Sequence, residues 1–231
     1  MPVLIVVCLV SLVVIALLWG RQRALRRDAY IRSFTLPIGL FEGLRKRHPG
    51  LTLKECQLVA HALRQFFLAH LKSGRQFVSM PSQVTDDLWH EFILHTRAYQ
   101  AFCDKAFGRF FHHTPAVVLG DSKQSNAGLR RCWWYACRDE NIDPRLPTRL
   151  PLLFALDAKL AIAGGFLYAA DCDTMRRLGT SSTSVVHCGS DFSSASVDGG
   201  TDGFGDGSSG GGGDGGGDSG GGGCGGGGGS D

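Results

Sequence analysis

The run from Pro2 to Trp19 is 18 residues without a charge, and Arg21, Arg23, Arg26 and Arg27 follow it at once. As a helix this run is about as long as the hydrocarbon core of a bilayer is thick. A secretory signal places its basic residues before the apolar stretch and a small-residue cleavage site after it. Here no basic side chain precedes the run and no A-x-A site follows it. Arginines beside a span hold it on the cytoplasmic side. The expectation is an uncleaved anchor over residues 1–20, a basic juxtamembrane linker over 21–34, and a cytoplasmic remainder. Residues 2–19 then have the bilayer as their partner. Arg21, Arg23, Arg26 and Arg27 have anionic lipid head groups, each basic residue near that surface contributing about 1 kcal/mol.

A chain of 231 residues with an anchor at one end has room for one further domain of ordinary size. Its formal charge of +3 hides an asymmetry, because no Lys or Arg occurs after Arg177 while seven aspartates do. Basic charge alone invites a nucleic-acid reading, but no recognition motif accompanies it and no nucleic-acid partner is expected. The eight cysteines form no C-x-x-C pair, so neither a redox motif nor a zinc ribbon is signalled. In a cytoplasmic domain most are expected to be free thiols, and in an external one they would form a disulfide framework. From about Thr180 the chain turns to Ser, Thr, Gly and Asp. That composition predicts a disordered tail over 179–231, with too little apolar surface to offset the entropy of ordering it. Calcium-binding nonapeptide repeats are excluded because glycine, aspartate and an apolar residue do not recur in register.

Between these ends the pattern is mainly helical, which predicts a compact helical domain over 35–178 with little or no strand. Thr52-Leu53-Lys54-Glu55 is a capping box. Leu53, Cys56, Val59, Ala60, Leu63, Phe66, Phe67 and Leu71 recur behind it at helical spacing until Ser73-Gly74. A second helix is expected from near Pro81–Thr85 to about Phe107, stopped by Gly108, and a third over roughly Ala127 to Glu140. Leu150 to Ala170 is apolar but interrupted by Asp157, Lys159 and Gly164-Gly165. It reads as a short helix begun by Pro151, a turn and an extended piece.

The second helix carries the candidate chemistry. His90-Glu91 with His95 is not the zinc-protease motif, because histidines at i and i+5 lie about 140° apart on a helix. Asp86 and His90 are i, i+4 neighbours, so the carboxylate can orient the imidazole, and His112 and His113 just past Gly108 can fold back as further nitrogen ligands. A second candidate cluster is His95, Tyr99 and Cys103, stacked at i, i+4 and i+8 on the apolar face. Imidazole with carboxylate or thiolate suits zinc or another divalent metal. Set against both is the plain reading of hydrogen-bonded core histidines and a small buried thiol. No catalytic set is complete, and Cys132 and Cys137, five residues apart, point away from one another on a helix.

Trp89-His90-Glu91-Phe92-Ile93-Leu94, Tyr99, Phe102-Cys103, Phe107-Gly108 and His112-His113-Thr114-Pro115 together resemble the bacterial branch of the glycine-rich domain-containing protein-like family. The resemblance runs on through Leu150–Asp157 to Gly164–Tyr168, covering most of residues 35–172, and the glycine-rich tail suits it. It implies a bacterial inner-membrane protein and brings no established reaction. Plant relatives look like W-H-x-H, and in this chain the second histidine's place is Phe92. Two functions follow as expectations. One is a membrane-held binding or scaffolding module with an unidentified protein partner. The other is a metal-binding, zinc-like domain built on His90, Asp86 and His112 or His113.

Overall fold

Residues 2–114, 123–170 and 186–188 are described by the computed structural model, and they form helices with one short strand pair. In chain order these are α1 (Pro2–Ser33), α2 (Leu40–Arg47), α3 (Leu53–Lys72), α4 (Gln83–Leu94), α5 (Thr96–Ala106), α6 (Lys123–Asp139), α7 (Leu152–Lys159), β1 (Leu167–Ala169) and β2 (Val186–Cys188). The mainly α architecture is as the periodicity predicts.

The capping box forms as its sequence dictates: Thr52 Oγ1 accepts from the Glu55 amide and the Glu55 carboxylate accepts from the Thr52 amide. It starts α3, the helix round which the domain is built. Cys56, Val59, Ala60, Ala62, Leu63 and the continuous stretch Gln65 to His70 are all buried. A helix buried over so much of its circumference has neighbours on several sides. Here α1, α2, α4, α6 and α7 all pack on it.

The apolar half of α1 stands exposed. Its most apolar window has a mean hydropathy of 3.1 and no buried residue, making α1 one helix long and apolar enough to cross a membrane. The helix does not stop at the arginines. It continues unbroken to Ser33, so residues 21–33 are helical. Ile31 is fully buried, and the Tyr30 and Phe34 rings meet Phe102 at 5.9 and 4.7 Å. Asp28 and Asp139 receive Arg32 and Lys72 from α1 and α3. The apolar rod is therefore keyed into the domain core.

One predicted helix is two. The stretch from Ser82 to Phe107 breaks at His95, whose ψ of 59° leaves the helical region. The cause is packing. Phe92 and Phe102 would be about 15 Å apart along a straight helix, yet their rings lie 5.4 Å apart across the break. His95 is left exposed at the corner. It does not join Tyr99 and Cys103, which are buried, so the second candidate cluster does not assemble.

Two helix starts are capped from a distance. Asp157 of α7 is 2% exposed and accepts from Ser82 Oγ and from the amides of Gln83, Val84 and Phe166. Those amides include orphan donors of the first turn of α4, which a carboxylate satisfies best. A Cβ on Gly165 would lie 2.7 Å from Asp157 Cβ, which is why glycine sits at that turn. In the same way Glu140 accepts from the Leu152 amide and Gln65 from the Leu153 amide at the start of α7.

β1 and β2 pair in parallel, Leu167 opposite Val186 and Ala169 opposite Cys188. Val186–Cys188 fall inside the stretch that composition assigns to the tail. The remainder of 179–231 lies outside the described residues.

Candidate functional site

The site is built from a helix, a corner and a returning loop. On α4, Leu88, Trp89 and Phe92 face the core, while Asp86, His90 and Glu91 stand at its edge, half-buried. After the His95 corner, α5 turns Tyr99 back under Trp89. Trp89 Nε1 donates to Tyr99 Oη at 3.1 Å, a bond between residues ten apart that no straight helix allows. The Tyr99 hydroxyl in turn donates to the Phe111 carbonyl at 2.5 Å. Gly108, at φ 75°, supplies the left-handed residue that ends α5. Phe111 then stacks on His70 at 3.8 Å between ring centroids and lies 5.0 Å from the Trp89 ring. The loop past Gly108 is thus held to α4 by one hydrogen-bonded chain and one aromatic stack.

Two residues further on, His113 lands beside His90. Its Nε2 is 3.0 Å from Asp86 Oδ1, and His90 Nδ1 is 3.5 Å from Asp86 Oδ2. The two imidazole rings are 4.3 Å apart, and Trp89 closes the inner side with its ring 4.6 Å from His113. One ligand atom from each of Asp86, His90 and His113 lies within 4.8 Å of the others. Among the described residues this is the one such group of three. His113 is the deepest of them and His90 the most open, with side chains 12% and 38% exposed, so the group faces water on one side.

His112, the fourth residue of the sequence-based ligand set, does not converge. It is exposed, with its ring 4.8 Å from Phe110. Adjacent residues on an extended loop point to opposite sides, so one of the pair at most faces α4. Cys103 and Tyr99 serve the core instead. Burial pushes the Cys103 thiol up, and burial, with the nearby Cys103, pushes the Tyr99 phenol well above its ordinary value. Neither is poised as an anionic ligand. Burial also raises Cys132 and lifts Cys137 to about 12, so neither helix thiol is a ready nucleophile.

A second Asp–His pair flanks the first. Asp87 takes His48 Nε2 at 2.8 Å and Arg47 Nη1 at 3.1 Å, and Arg47 also reaches Glu91. This network fixes α2 to α4. It ties Asp87 to α2 partners, whereas among the described residues Asp86 is shared between two imidazoles.

The family UCP032817-like matches residues 26–192. The chain belongs to that family. Its reach begins within α1 after the apolar run and ends past β2, so it takes in Asp86, His90, Tyr99, His113 and Asp157 together. No curated protein and no solved structure matches the chain. The residues that sequence reasoning missed are those that position the site: Trp89 as a donor, Phe111 as an acceptor and Asp157 as the cap of α4.

Proposed function

We propose that this is a single-pass membrane protein whose cytoplasmic helical domain is a binding module that holds a divalent metal of the zinc type at Asp86, His90 and His113. The convergence of those three side chains from α4 and the returning loop carries the reading. Zinc bonds of 2.0–2.2 Å in a tetrahedron put neighbouring ligand atoms about 3.3–3.6 Å apart. The Asp86–His113 and Asp86–His90 separations of 3.0 and 3.5 Å lie close to that edge. Three protein ligands with an open side leave a position for water or for a group on a partner, the coordination of sites that act rather than brace. Trp89 excludes water from behind, and the Trp89–Tyr99–Phe111 chain keeps the loop in register, as supporting hydrogen bonds do around metal ligands.

The anchor part of the reading is supported by the bare apolar half of α1 and by its unbroken passage into the core. The arginines after the span favour a cytoplasmic domain. The resemblance of the Trp-His…Tyr…His-His pattern to the bacterial glycine-rich domain-containing proteins supports an inner membrane as that bilayer.

The test is elemental analysis of the full chain in detergent, expressed in metal-replete medium, with the His90→Ala and His113→Ala variants beside it. One metal per chain, lost in both variants while the helical circular-dichroism spectrum is kept, is the expected result. Protein isolated without metal that also fails to take up added zinc overturns the metal reading and leaves Asp86 as a hydrogen-bond acceptor between two histidines.

A further inference from the structure

We infer that Arg75 and Arg109, far in sequence from the arginines beside the span, join Arg23 and Arg27 at the Gly108 turn to form a binding site for the phosphate of an anionic phospholipid head group.

The geometry begins at Gly108. A Cβ there would lie 2.3 Å from Arg27 Nη2 and 3.8 Å from Arg23 Nη2, so both guanidinium groups rest over this turn. Arg75 reaches the same turn from the end of α3, donating through Nη1 to the Phe107 carbonyl at 3.0 Å. Arg109 follows Gly108 and donates through Nη2 to the Arg75 carbonyl. Four arginines from three places in the sequence therefore converge on residues 107–109. Among the described residues none of the four is in an ion pair.

Such a gathering is costly without an anion. Arg27 is held below its ordinary value first by burial and then by the charges of Arg23 and Arg75. That cost is offset if a phosphate bridges the guanidinium forks, whose planar donors match it in bidentate fashion.

Position along α1 identifies the anion's source. At 1.5 Å per residue Arg23 lies about 6 Å past Trp19 and Arg27 about 12 Å. A head-group layer is about 5–8 Å deep on each face of a bilayer. Arg23 is thus inside that layer and Arg27 about 4–7 Å beyond it, a gap within the length of an arginine side chain, and the Gly108 turn holds Arg75 and Arg109 beside both. The site opens where lipid phosphates are. It rests on the proposed anchoring of α1 and is independent of the metal.

The experiment uses the full chain in nanodiscs of phosphatidylcholine with a minor fraction of phosphatidylglycerol, and native mass spectrometry of the phosphatidylglycerol it retains. Arg75→Gln/Arg109→Gln is compared with Arg21→Gln/Arg26→Gln, an equal loss of charge on the same side of the membrane. The first pair is expected to lose about tenfold more in retention than the second, whose residues act through the diffuse belt alone. Arg109→Gln alone, an exposed side chain, carries the test if the double variant does not fold. Equal losses in the two pairs overturn the site in favour of a diffuse basic belt. Inorganic phosphate that displaces the lipid at millimolar concentration assigns the site to a free anion and overturns the head-group reading. Retention that rises when residues 199–231 are removed assigns it to the acidic tail and overturns it equally. Failure of the full chain to float with vesicles would instead sink the anchor, a separate result.

Discussion

The Tyr99 hydroxyl donates to the Phe111 carbonyl, and this bond closes the loop that carries His113 to His90. Tyr99 also accepts from Trp89, so one buried oxygen links α4, α5 and the loop. Tyr99→Phe keeps the ring and removes both bonds. The Phe111 carbonyl and Trp89 Nε1 are then left buried without these partners, at about 1–3 kcal/mol. Looser placement of His113 is expected to weaken zinc binding by about 10- to 100-fold, the usual consequence of losing a supporting hydrogen bond. Thermal unfolding and competition with a chromophoric chelator read the two effects on one sample. Unchanged zinc affinity in a destabilised protein would separate the bond from the site.

Asp157 makes a different demand. It accepts four hydrogen bonds while almost wholly buried, and three of its donors belong to the start of α4. Asp157→Ala leaves those donors unpaired and is expected to cost about 3 kcal/mol or more. Asp157→Asn retains one acceptor oxygen and is expected to cost roughly half of that. Chemical denaturation of the full chain in detergent gives the order. Equal costs would mean that the charge of Asp157, not its number of acceptor sites, holds α4.

What the sequence showed and what it hid divide along physical lines. The capping box at Thr52, the Gly108 stop and the Pro151 start are local signals, and each marks an observed boundary within a residue or so. The Asp86–His90 pairing was legible because i, i+4 neighbours share a face. The break at His95 was not, because no glycine or proline marks it and the apolar spacing runs on. It arises from contacts made across the break, Phe92 with Phe102 and Trp89 with Tyr99, a tertiary fact. α2 was equally hidden. Only Leu40 and Leu44 are buried along it and Gly39 offers no side-chain cap, so its partners on α4 make the helix. The choice of His113 over His112 depended on which side of an extended loop faces α4, which spacing alone does not settle. β2 escaped notice because three residues in a serine-rich stretch carry no periodic signal.

His70 gives the fold a pH dependence. It is buried against Phe111 and Phe107, and its Nδ1 is 2.9 Å from the Gln76 carbonyl. Burial is the main reason that its imidazole is depressed to about 4. In the unfolded chain a histidine titrates near 6.5, so between those values the unfolded state binds more protons than the native one. Stability from this group is full above about pH 6.5, falls as pH drops toward 4, and levels below it, a loss of about 3 kcal/mol in all. His70→Phe is expected to flatten that part of the profile. Melting temperatures of both proteins at matched pH, in chelator so that metal release does not contribute, make the comparison. A slope unchanged in the variant would assign the acid sensitivity elsewhere.

Asp139 decides how firmly α1 is held to the domain. It accepts from Arg32 of α1 and from Lys72 of α3, and its own side chain is 7% exposed. Burial raises its carboxyl, but the bonds from Arg32 and Lys72 outweigh that and leave it below the ordinary range. Its contribution is therefore present above the unfolded pKa near 4 and lost as pH falls through the lower native value. Asp139→Asn keeps the shape and removes the charge, leaving Arg32 with Asp28 alone. The expected cost is about 1–3 kcal/mol, the range for hydrogen bonds to a charged group. The more telling effect is local. With α1 released from α3 and α6, a spin label at Ala29, on the exposed side of α1, is expected to become more mobile, while one at the exposed Gln57 of α3 is not. Equal mobility at both positions in the variant and the parent would show that Ile31, Tyr30 and Phe34 hold α1 without the ion pairs, by apolar packing alone.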